Sequence, residues 1–368
     1  MEEKDLFLIY LGRSGAGPKI TLELTKEIIE SRKIKNFNLL ISKNNLLFED
    51  IIKIKNDLIP ISTPIKKLDT LTKLFPFKIK FLKKLILSKN KTFFFPMTHI
   101  WNPATMLMIK VFVKDPKIFF ICHDATIHPG EKNSLLQHKL TQLEILFSNH
   151  IFCLSENVKK ILQKKYPKKP MGLLPHPGFD FGIIKEPKNV SNVPTFLFFG
   201  RIVEYKGLSL LLDSFLIARK KRDIKLIIAG EGEIKNEDLE KINQNKESIE
   251  LINRYIDEKE VTNIWDKSDI CALTYIEASQ SGIVAIAINK AMPCLITPIE
   301  GLKEQTLTKD EEKTFALMTN SLNPEDIAET MIKIIDKIIY HNLSQNAINH
   351  QKELSWSKWV EEIKKISK

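Results

Sequence analysis

The sequence has few cysteines: only four among 368 residues, and none is close to another in the chain. Each lies in an apolar, strand-like stretch, at Cys122, Cys153, Cys271 and Cys294. This spacing argues against a zinc site and against a disulfide framework. We expect four small buried thiols in a protein of a reducing compartment.

Long apolar runs are missing as well. No stretch approaches the roughly 20 apolar residues that are needed to cross a bilayer. The N-terminal segment MEEKDLFLIY is acidic where a secretory signal would be basic, so we expect a cytoplasmic protein. The length of 368 residues, 43% of them hydrophobic and 27% charged, is typical of a soluble chain with two globular domains.

Positive charge, in contrast, is abundant and unevenly distributed along the chain. The formal net charge is +11. Residues 1–180 contain 30 lysines and arginines against 16 acidic residues, whereas the remainder contains 26 against 29. Residues 51–100 alone contain 11 basic and 2 acidic residues. Such a field favours an anionic partner, which would be a nucleic acid, an anionic membrane surface or a phosphorylated substrate.

One basic segment, residues 78–87 (KIKFLKKLIL), alternates lysines with large apolar residues at roughly helical spacing. Two interpretations stay open. A core-facing helix would turn its apolar side inward and its lysines to solvent. An interfacial helix would place its apolar side in the acyl boundary and its lysines on anionic headgroups, and residues 63–91 would then contact the inner face of the plasma membrane.

Strand-length apolar stretches alternate with helix-length segments, which predicts an α/β fold with parallel sheets. We expect strands near residues 5–11, 37–41, 92–95, 117–121 and 150–154, and again near residues 195, 224, 250, 269, 293 and 314. Residues 179–194 are rich in proline, glycine and asparagine and predict a hinge. The expected domains are 1–178 and 195–342, followed by a closing helix over 343–368.

A glycine-rich turn, residues 12–18 (GRSGAGP), connects the first expected strand to a helix expected over 20–32. Such a turn lets the backbone approach a ligand and directs amide donors at it. The order of its glycines differs from the dinucleotide-binding fingerprint. We therefore expect a role in a ligand-binding cleft, without a dinucleotide.

Residues 195–207 (TFLFFGRIVEYKG) combine an apolar strand, a turn at Gly200 and two cations, Arg201 and Lys206, ahead of an amphipathic helix. In an open α/β sheet, ligands bind outside the carboxyl ends of the strands, where the N-termini of helices also point. Arginine and lysine at that place suit the oxygens of a diphosphate. Taken alone, the pair favours an interpretation as two solvated surface cations, because the chain contains 56 lysines and arginines.

Two later segments complete a pattern: residues 275–283 (YIEASQSGI) and residues 300–304 (EGLKE) each follow an apolar strand. With Arg201 and Lys206, they make the chain resemble the retaining nucleotide-sugar-dependent glycosyltransferases of family 4, which have the two-domain GT-B fold. The resemblance covers nearly the whole chain and is to the branch with Gln-Ser-Gly in place of a two-glutamate motif. It implies two Rossmann-like domains with parallel sheets facing across a cleft, and a C-terminal helix that crosses back to the first domain.

The resemblance also implies which residues act. His123, at the end of an expected strand, would contact the transferred sugar, while Arg201 and Lys206 would hold the diphosphate. Asp124 and His128 would contact the acceptor. The expected donor-binding residues are Gly15, Gly200, Gly230, Tyr255, Glu277, Ser279, Gln280, Ser281, Gly282 and Ile283, with Tyr255 at the nucleotide base.

The leaving diphosphate gains negative charge in the transition state, and this charge must be stabilised. The sequence has no Asp-x-Asp segment to hold a metal, so we expect cations and the amides around residues 281–283 to serve instead, without a metal or cofactor. The resemblance implies that the diphosphate takes the acceptor's proton. One departure is Ile286, which stands where the more common members carry the second glutamate that holds the ribose, whereas Glu277 is close to the first.

The leading hypothesis is a hexosyltransferase-type enzyme of polysaccharide biosynthesis, which moves a sugar from a UDP- or GDP-linked donor to a glycan or lipid-linked acceptor. A nucleic-acid-binding protein that uses the basic N-terminal half is one alternative, but no recognition motif is found and no nucleic acid is expected. A sugar-nucleotide epimerase of the same fold is disfavoured by the Arg-x4-Lys-Gly and Gln-Ser-Gly segments. A catalytically silent GT-B partner subunit is disfavoured by the presence of Arg201 and Lys206.

Overall fold

The computed structural model describes residues 6–64, 91–124, 134–307 and 313–367, together with Phe77, residues 81–83 and Leu85. The described chain forms two compact units. The first contains the described residues up to Pro175 and those from Ser355 onward, and the second contains His176–Leu354.

The first unit is built on a parallel sheet of seven strands in the order β3-β2-β1-β4-β5-β6-β7. The strands are β1 (Leu6–Tyr10), β2 (Phe37–Ser42), β3 (Ile59–Ile61), β4 (Thr92–Phe95), β5 (Lys117–Cys122), β6 (His150–Cys153) and β7 (Met171–Leu173). The five expected strands are confirmed. The sequence did not predict β3 and β7, which are three-residue edge strands interrupted by Pro60 and Gly172.

The helices of the first unit follow their strands in the alternation that a parallel sheet requires. They are α1 (Ala16–Ser31), α2 (Phe48–Ile54), α3 (Asn102–Phe112), α4 (Ser134–Phe147) and α5 (Glu156–Lys165). Apolar residues of α3, α4 and α5 pack against Phe93, Phe95 and Phe120 of the sheet. The predicted N-cap of α5 is confirmed, since Ser155 Oγ accepts a hydrogen bond from the Val158 backbone N–H at 3.2 Å.

Three described residues, one just before the basic segment and two within it, bear on its two interpretations. Phe77, Phe81 and Leu85 are buried in the core of the first unit. The ring of Phe81 stands edge-on to Phe7, with centroids 6.1 Å apart. This spacing of four residues is that of one helical face, so these side chains support the core-facing interpretation and are not available to an acyl boundary. Within the segment, Leu82 is half-buried and Lys83 is exposed, and the other residues lie outside the described ones.

The second unit contains a parallel sheet of six strands in the order β10-β9-β8-β11-β12-β13. The strands are β8 (Thr195–Phe199), β9 (Lys225–Ala229), β10 (Ile249–Ile252), β11 (Ile270–Leu273), β12 (Cys294–Ile296) and β13 (Ala316–Met318), as the sequence predicted. The helices are α6 (Leu208–Arg219), α7 (Asn236–Gln244), α8 (Glu258–Asp266), α9 (Gly282–Asn289), α10 (Glu300–Thr306), α11 (Pro324–Ile334) and α12 (Lys337–Glu353). All four cysteines of the chain are buried free thiols, as expected.

The segment predicted as a hinge is attached to the second unit. The Phe179 backbone N–H donates to the Ala285 carbonyl at 3.0 Å, and the Ile184 N–H donates to the Asn289 carbonyl at 2.8 Å. At the other end of the segment, the carboxylate of Asp269 accepts from the Ser191 N–H and hydroxyl. Residues 179–191 are therefore anchored to α9 and to the start of β11.

The C-terminal region contains two helices and not the single helix that was predicted over 343–368. The helix α12 ends at Glu353, and α13 (Trp356–Ser367) begins after an extended Leu354. The helix α13 belongs to the first unit, where it packs on α1 and Trp359 Nε1 donates to the Pro175 carbonyl at 2.7 Å. A C-terminal helix that returns to the first domain is thus confirmed. Within the described ranges, no helix is long and apolar enough to cross a membrane.

Candidate functional site

Each sheet has a point at which its strand order reverses. In the second sheet, β8 has β9 on one side and β11 on the other, so the segments that follow β8 and β11 leave the sheet next to each other. Ligands of open α/β sheets bind at this point, outside the carboxyl ends of the strands. The segments that leave here are 200–207 and 274–283, which contain most of the predicted donor-binding residues.

Two glycines allow the backbone segments after β8 and β9 to approach closely. Gly200 has φ 98° and Gly230 has φ 151°, which other residues rarely adopt. A Cβ atom on Gly230 would lie 1.9 Å from the Gly200 carbonyl oxygen. The predicted sites Gly200 and Gly230 therefore lie together at the edge of the sheet.

Lys206 is the cation whose side chain lies at this edge of the second sheet, beside Gly200. Its side chain is only 8% exposed, and its Nζ lies 3.0 Å from the position that a Cβ on Gly200 would take. The ammonium also lies over the ring of Tyr275, 5.3 Å from the centroid, in a cation–π contact. Arg201, which follows Gly200, is exposed at the same turn. Both predicted cations thus belong to the turn after β8, and Lys206 is held in its interior.

The backbone around Lys206 is fixed from both sides. Gly207 has φ 67°, and a Cβ there would lie 2.0 Å from the Thr274 carbonyl oxygen. The Thr274 hydroxyl donates to the Gly207 carbonyl at 3.0 Å, and the Ile276 N–H donates to the Tyr205 carbonyl at 2.7 Å. The turn after β8 is thereby tied to the segment after β11, which restricts the movement of the lysine.

The N-terminus of α9 reaches the same place through Ile283, whose Cδ1 lies 3.3 Å from the position that a Cβ on Gly200 would take. Ser281 caps this helix: its hydroxyl accepts from the Ile283 N–H at 3.2 Å and contacts the Tyr275 hydroxyl at 3.0 Å. Burial raises the pKa of Tyr275 above its ordinary value, so this hydroxyl stays protonated.

Of the three backbone amides at residues 281–283, which we expect to face an anion, two are engaged within the protein. The Ser281 N–H donates to Gln305 Oε1 at 2.5 Å, and the Ile283 N–H is used by the cap. Among the described residues, none accepts a hydrogen bond from the Gly282 N–H. One backbone donor, at Gly282, therefore remains at the start of α9 for an anionic ligand.

The rest of the Gln-Ser-Gly segment is partly buried. Ser279 is buried and Glu277 half-buried. A Cβ on Gly301 would lie 2.5 Å from the Ala278 carbonyl oxygen, so the glycine of the EGLKE segment lets α10 approach this loop. Gln280 Oε1 is a buried acceptor for which the described part of the chain provides no donor. A buried acceptor of this kind calls for a hydroxyl or N–H from a ligand.

Tyr255 lies apart from this group, in the segment after β10, with half of its side chain (51%) exposed. The side chain of the neighbouring Asn253 accepts a hydrogen bond from the Gly232 N–H at 3.2 Å and donates one to the Gly232 carbonyl at 3.1 Å. Arg254 forms a two-pronged ion pair with Glu260, with distances of 2.6 and 2.8 Å. These contacts fix the segment and leave the tyrosine ring at the surface.

In the first unit, the corresponding reversal lies between β1 and β4. The glycine-rich turn follows β1, where Gly15 has φ 81° and open space around it. The ring of buried Tyr10 lies against Gly12 and Gly17, each of which would clash with it if it carried a Cβ. Gly15 is thus the exposed glycine of the turn, and the other two serve packing.

His123 follows β5 on the same edge of the first sheet. Its Nε2 lies 2.8 Å from the Pro96 carbonyl oxygen, and because a carbonyl only accepts, Nε2 carries the proton. Burial lowers the pKa of His123, so the ring is neutral and Nδ1 is its acceptor nitrogen. Asp124 follows it, half-buried, and its carbonyl oxygen faces the Cys122 thiol at 3.3 Å. His128 lies outside the described residues.

Glu144 of α4 supports the segment that holds His123. Its Oε1 accepts from the His99 N–H at 3.0 Å and from Asn102 Nδ2 at 2.7 Å, and Asn102 also donates to the Met97 carbonyl at 2.8 Å. Burial raises the pKa of Glu144 to about 8. The carboxyl group therefore fixes residues 96–102, which include the carbonyl that receives His123.

Four functional or supporting residues were missed or given no role by sequence reasoning: Tyr275, Gln305, Asn102 and Glu144. Tyr275 stands within a segment that was singled out, and its spacing of six residues from Ser281 carried no signal of their contact. Gln305 and Glu144 lie in helices, where a single polar residue is usually solvated. In the described part of the chain, no three His, Cys, Asp or Glu residues are grouped so as to hold a metal ion.

Comparison with known proteins adds a family match for the second unit. Residues 193–337 match the family "Glycosyl transferases group 1". This range begins just before β8 and includes all the segments of the second unit that contain predicted donor-binding residues. No curated protein matches the chain.

Solved structures match over the whole chain. A glycosyltransferase from Rickettsia africae ESF-5 superposes with a TM-score of 0.72 at 15% identity, covering 100% of this chain and 98% of the other. Alr3699/HepE of Anabaena, solved in complex with UDP-glucose, gives a TM-score of 0.70 at 11% identity, with 97% and 98% covered. A Listeria monocytogenes protein described as a UDP-N-acetylglucosamine 2-epimerase gives 0.61 at 12% identity, with 99% and 95% covered.

At these identities the structural likeness establishes the fold alone, and that fold is shared by transferases and an epimerase. The predicted GT-B architecture of two Rossmann-like domains is confirmed. The family match is to glycosyltransferases and covers residues 193–337. The chain therefore has the GT-B fold, and its second unit matches the "Glycosyl transferases group 1" family.

Proposed function

We propose that the protein is a retaining, metal-independent glycosyltransferase of family 4 that uses a UDP- or GDP-linked sugar as donor. The observation that carries this proposal is the buried ammonium of Lys206 at the strand reversal of the second sheet, beside Gly200 and the N-terminus of α9. A buried cation next to a helix N-terminus is a site for an anionic leaving group. The diphosphate of the donor lies there, with Arg201 at its exposed side.

The remaining donor contacts follow from the positions of the side chains. The Gly282 N–H adds a hydrogen bond to the diphosphate, and Gln280 Oε1 accepts from a hydroxyl of the donor, a role that the glutamate replaced by Ile286 would otherwise fill. The exposed ring of Tyr255 stacks on the nucleotide base, as aromatic side chains do on bases. His123, with its proton on Nε2, accepts a sugar hydroxyl at Nδ1. Gly15, Glu277 and Ser279 line the donor site, and Asp124 and His128 contact the acceptor.

In the transfer step, the bond from the anomeric carbon to the diphosphate oxygen breaks as the acceptor oxygen bonds to that carbon from the same side. The acceptor's proton passes to the leaving diphosphate oxygen. Lys206, Arg201 and the Gly282 N–H stabilise the charge that develops on the diphosphate. No side-chain base is needed, and the acceptor is a glycan or lipid-linked glycan of polysaccharide biosynthesis.

We place this enzyme in the cytoplasm, at the inner face of the plasma membrane, where a lipid-linked acceptor is available. Contact of the lysines of residues 63–91 with anionic headgroups is part of the proposal, but without insertion of Phe77, Phe81 and Leu85, which are core residues. The electrostatic attraction contributes on the order of 1 kcal/mol per lysine near the surface.

A thermal-shift screen against UDP, GDP, ADP and dTDP, with and without Mg²⁺, tests the proposal. A ligand at about 100 times its dissociation constant adds ~2.7 kcal/mol to the free energy of unfolding. We expect stabilisation by UDP or GDP that is the same with and without Mg²⁺. Stabilisation that needs Mg²⁺ would refute metal independence, and no shift with any diphosphate would refute the donor site.

A further inference from the structure

The outer faces of α3 and α4 carry an unusual set of exposed apolar side chains. Of the sixteen large apolar side chains that are exposed in the described chain, seven lie on these two helices. We call this set the α3–α4 patch; it consists of Leu107, Val111, Phe112, Leu135, Leu136, Leu143 and Leu146. A concentration of this kind on a globular domain marks an interaction surface.

The patch on α4 has the reverse of the usual amphipathic pattern. The buried side of the helix carries Thr141, Glu144 and Ile145. At 3.6 residues per turn, the four exposed leucines fall within an arc of about 100° on the opposite side, and Leu135 and Leu146 are 69% and 62% exposed. Core packing therefore does not explain these leucines.

The outer face of α3 continues the patch, because α3 and α4 pack against each other on the same face of the sheet. Leu107 and Val111 are one helical turn apart, and Val111 is 65% exposed. Their neighbours Met106 and Ile109 point into the core. The two packed helices thus both carry exposed apolar side chains on their outer faces.

The charges on these helices have one sign. Lys110 of α3 and Lys139 of α4 are exposed within the patch, and Lys169 caps the end of α4 by donating to the Ser148 carbonyl at 2.6 Å. The nearest acidic residue on either helix is Glu144, which is buried on the opposite side. Asp115, in the turn after α3, is the only exposed acidic residue of that neighbourhood in the described ranges 102–115 and 134–147.

We propose that the α3–α4 patch docks the protein on an anionic lipid bilayer, with the leucines in the acyl boundary and Lys110 and Lys139 on the headgroups. The composition favours lipid over a protein partner, because protein interface hot spots are enriched in Trp, Tyr and Arg and depleted in Leu and Val. A second copy of the chain would bring lysines against lysines. This surface is distinct from residues 63–91 and does not depend on the transfer reaction.

The test is co-sedimentation with vesicles of phosphatidylcholine, alone or with about 30 mol % phosphatidylglycerol, at low and high salt. The variants are Leu136→Gln/Leu143→Gln/Leu146→Gln and Lys110→Gln/Lys139→Gln. The matched control replaces exposed apolar residues of the second unit, in Ile183→Gln/Leu322→Gln/Ile338→Gln. Circular dichroism and the diphosphate thermal shift are recorded on the same samples, so that failure of membrane docking and failure of the donor site are read separately.

We expect the wild type and the control to bind the anionic vesicles more tightly than the neutral ones. Partitioning of the leucine variant onto the vesicles should be at least about tenfold weaker, because three aliphatic side chains that insert into the acyl boundary are replaced. The lysine variant should lose the preference for anionic lipid and the salt dependence. Equal binding by the leucine variant and the wild type would overturn the proposal, as would a wild-type dimer that the leucine substitutions dissociate without any vesicle binding.

Discussion

At the scale of single residues, Gly200 shows how one position serves both the fold and the proposed chemistry. Residues with a side chain rarely adopt its φ of 98°, and a Cβ at this position would lie only 3.0 Å from Lys206 Nζ. The sequence indicated the turn, since a glycine follows an apolar strand. It contained no signal of the lysine that folds back over that glycine six residues later, because the contact depends on the turn's conformation.

We expect Gly200→Ala to displace Lys206 and to weaken binding of the donor's diphosphate. The left-handed backbone conformation costs about 1–3 kcal/mol for a residue with a side chain, and the added methyl group would lie only 3.0 Å from the Lys206 ammonium. Titration calorimetry with UDP or GDP measures the loss of affinity. Gly282→Ala is the matched control, because its N–H remains and its Cβ meets only Phe179, at 3.9 Å; equal losses in both variants would contradict this explanation.

Glu144 makes stability depend on pH in a direction opposite to that of most carboxylates. Burial raises its pKa from 4.5 to about 8, so the unfolded chain releases this proton at a lower pH than the folded protein does. The free energy of unfolding therefore falls as pH rises from about 4.5 to about 8, by at most ~1.4 kcal/mol per pH unit from this group. The contribution is fully present below the unfolded pKa.

We expect Glu144→Gln to remove this dependence, because glutamine keeps the acceptor oxygen that faces His99 and Asn102 but does not ionise. Chemical denaturation at pH 5 and pH 8, compared with the wild type, measures the change. The variant should gain stability relative to the wild type at the higher pH. The exposed Glu329→Gln is the control; a pH profile of Glu144→Gln that parallels the wild type would show that the carboxyl group is ionised in the folded state.

At the scale of elements, the start of α9 depends on α10. The Gln305 side chain accepts a hydrogen bond from the Ser281 N–H. The Ser281 hydroxyl in turn accepts from the Ile283 N–H and contacts the Tyr275 hydroxyl. The position of the Gly282 N–H, which we assign to the diphosphate, is therefore set by a side chain from a neighbouring helix. Helix α10 approaches closely enough only because residue 301 is glycine.

We expect Gln305→Ala to lower the free energy of unfolding by about 1–3 kcal/mol, the cost of a buried N–H without an acceptor. It should also weaken diphosphate binding, because the loop 279–282 is no longer fixed. Urea unfolding and calorimetry provide the two readouts. Lys303→Ala, at an exposed position of the same helix, serves as the control, and an unchanged stability of the Gln305 variant would show that this contact has no structural role.

Most elements could be predicted because strand-length apolar runs identify buried strands. The apolar strands between Phe7 and Phe95, and those between Phe196 and Leu295, are covered on both faces, as the strands of parallel sheets are. The short edge strands at Pro60 and Gly172 were missed because three residues provide no periodicity. The break between α12 and α13 was missed because Leu354 and Ser355 are neither proline nor glycine, the residues that usually mark a helix end.

At the scale of the whole molecule, the two-sheet architecture followed from the repeated alternation of strands and helices, and the comparisons confirm it. Apart from Tyr255, the predicted site residues of the second unit lie near one strand reversal because the turns after β8 and β11 leave the sheet there. Sequence spacing alone does not predict the contact of Lys206 with Tyr275, which lies 69 positions later. The strand order that does so depends on long-range packing, for which a single sequence has no local signal.

The most direct measurement is titration calorimetry of the full chain with the diphosphate that the thermal-shift screen identifies, for the wild type and Lys206→Ala. Loss of a buried charge-assisted contact of ~2 kcal/mol corresponds to about 30-fold weaker binding. Lys225→Ala, an exposed lysine at the start of β9, should bind like the wild type. A Lys206→Ala variant that is folded and binds the diphosphate as tightly as the wild type would contradict the assignment of this edge of the second sheet to the donor.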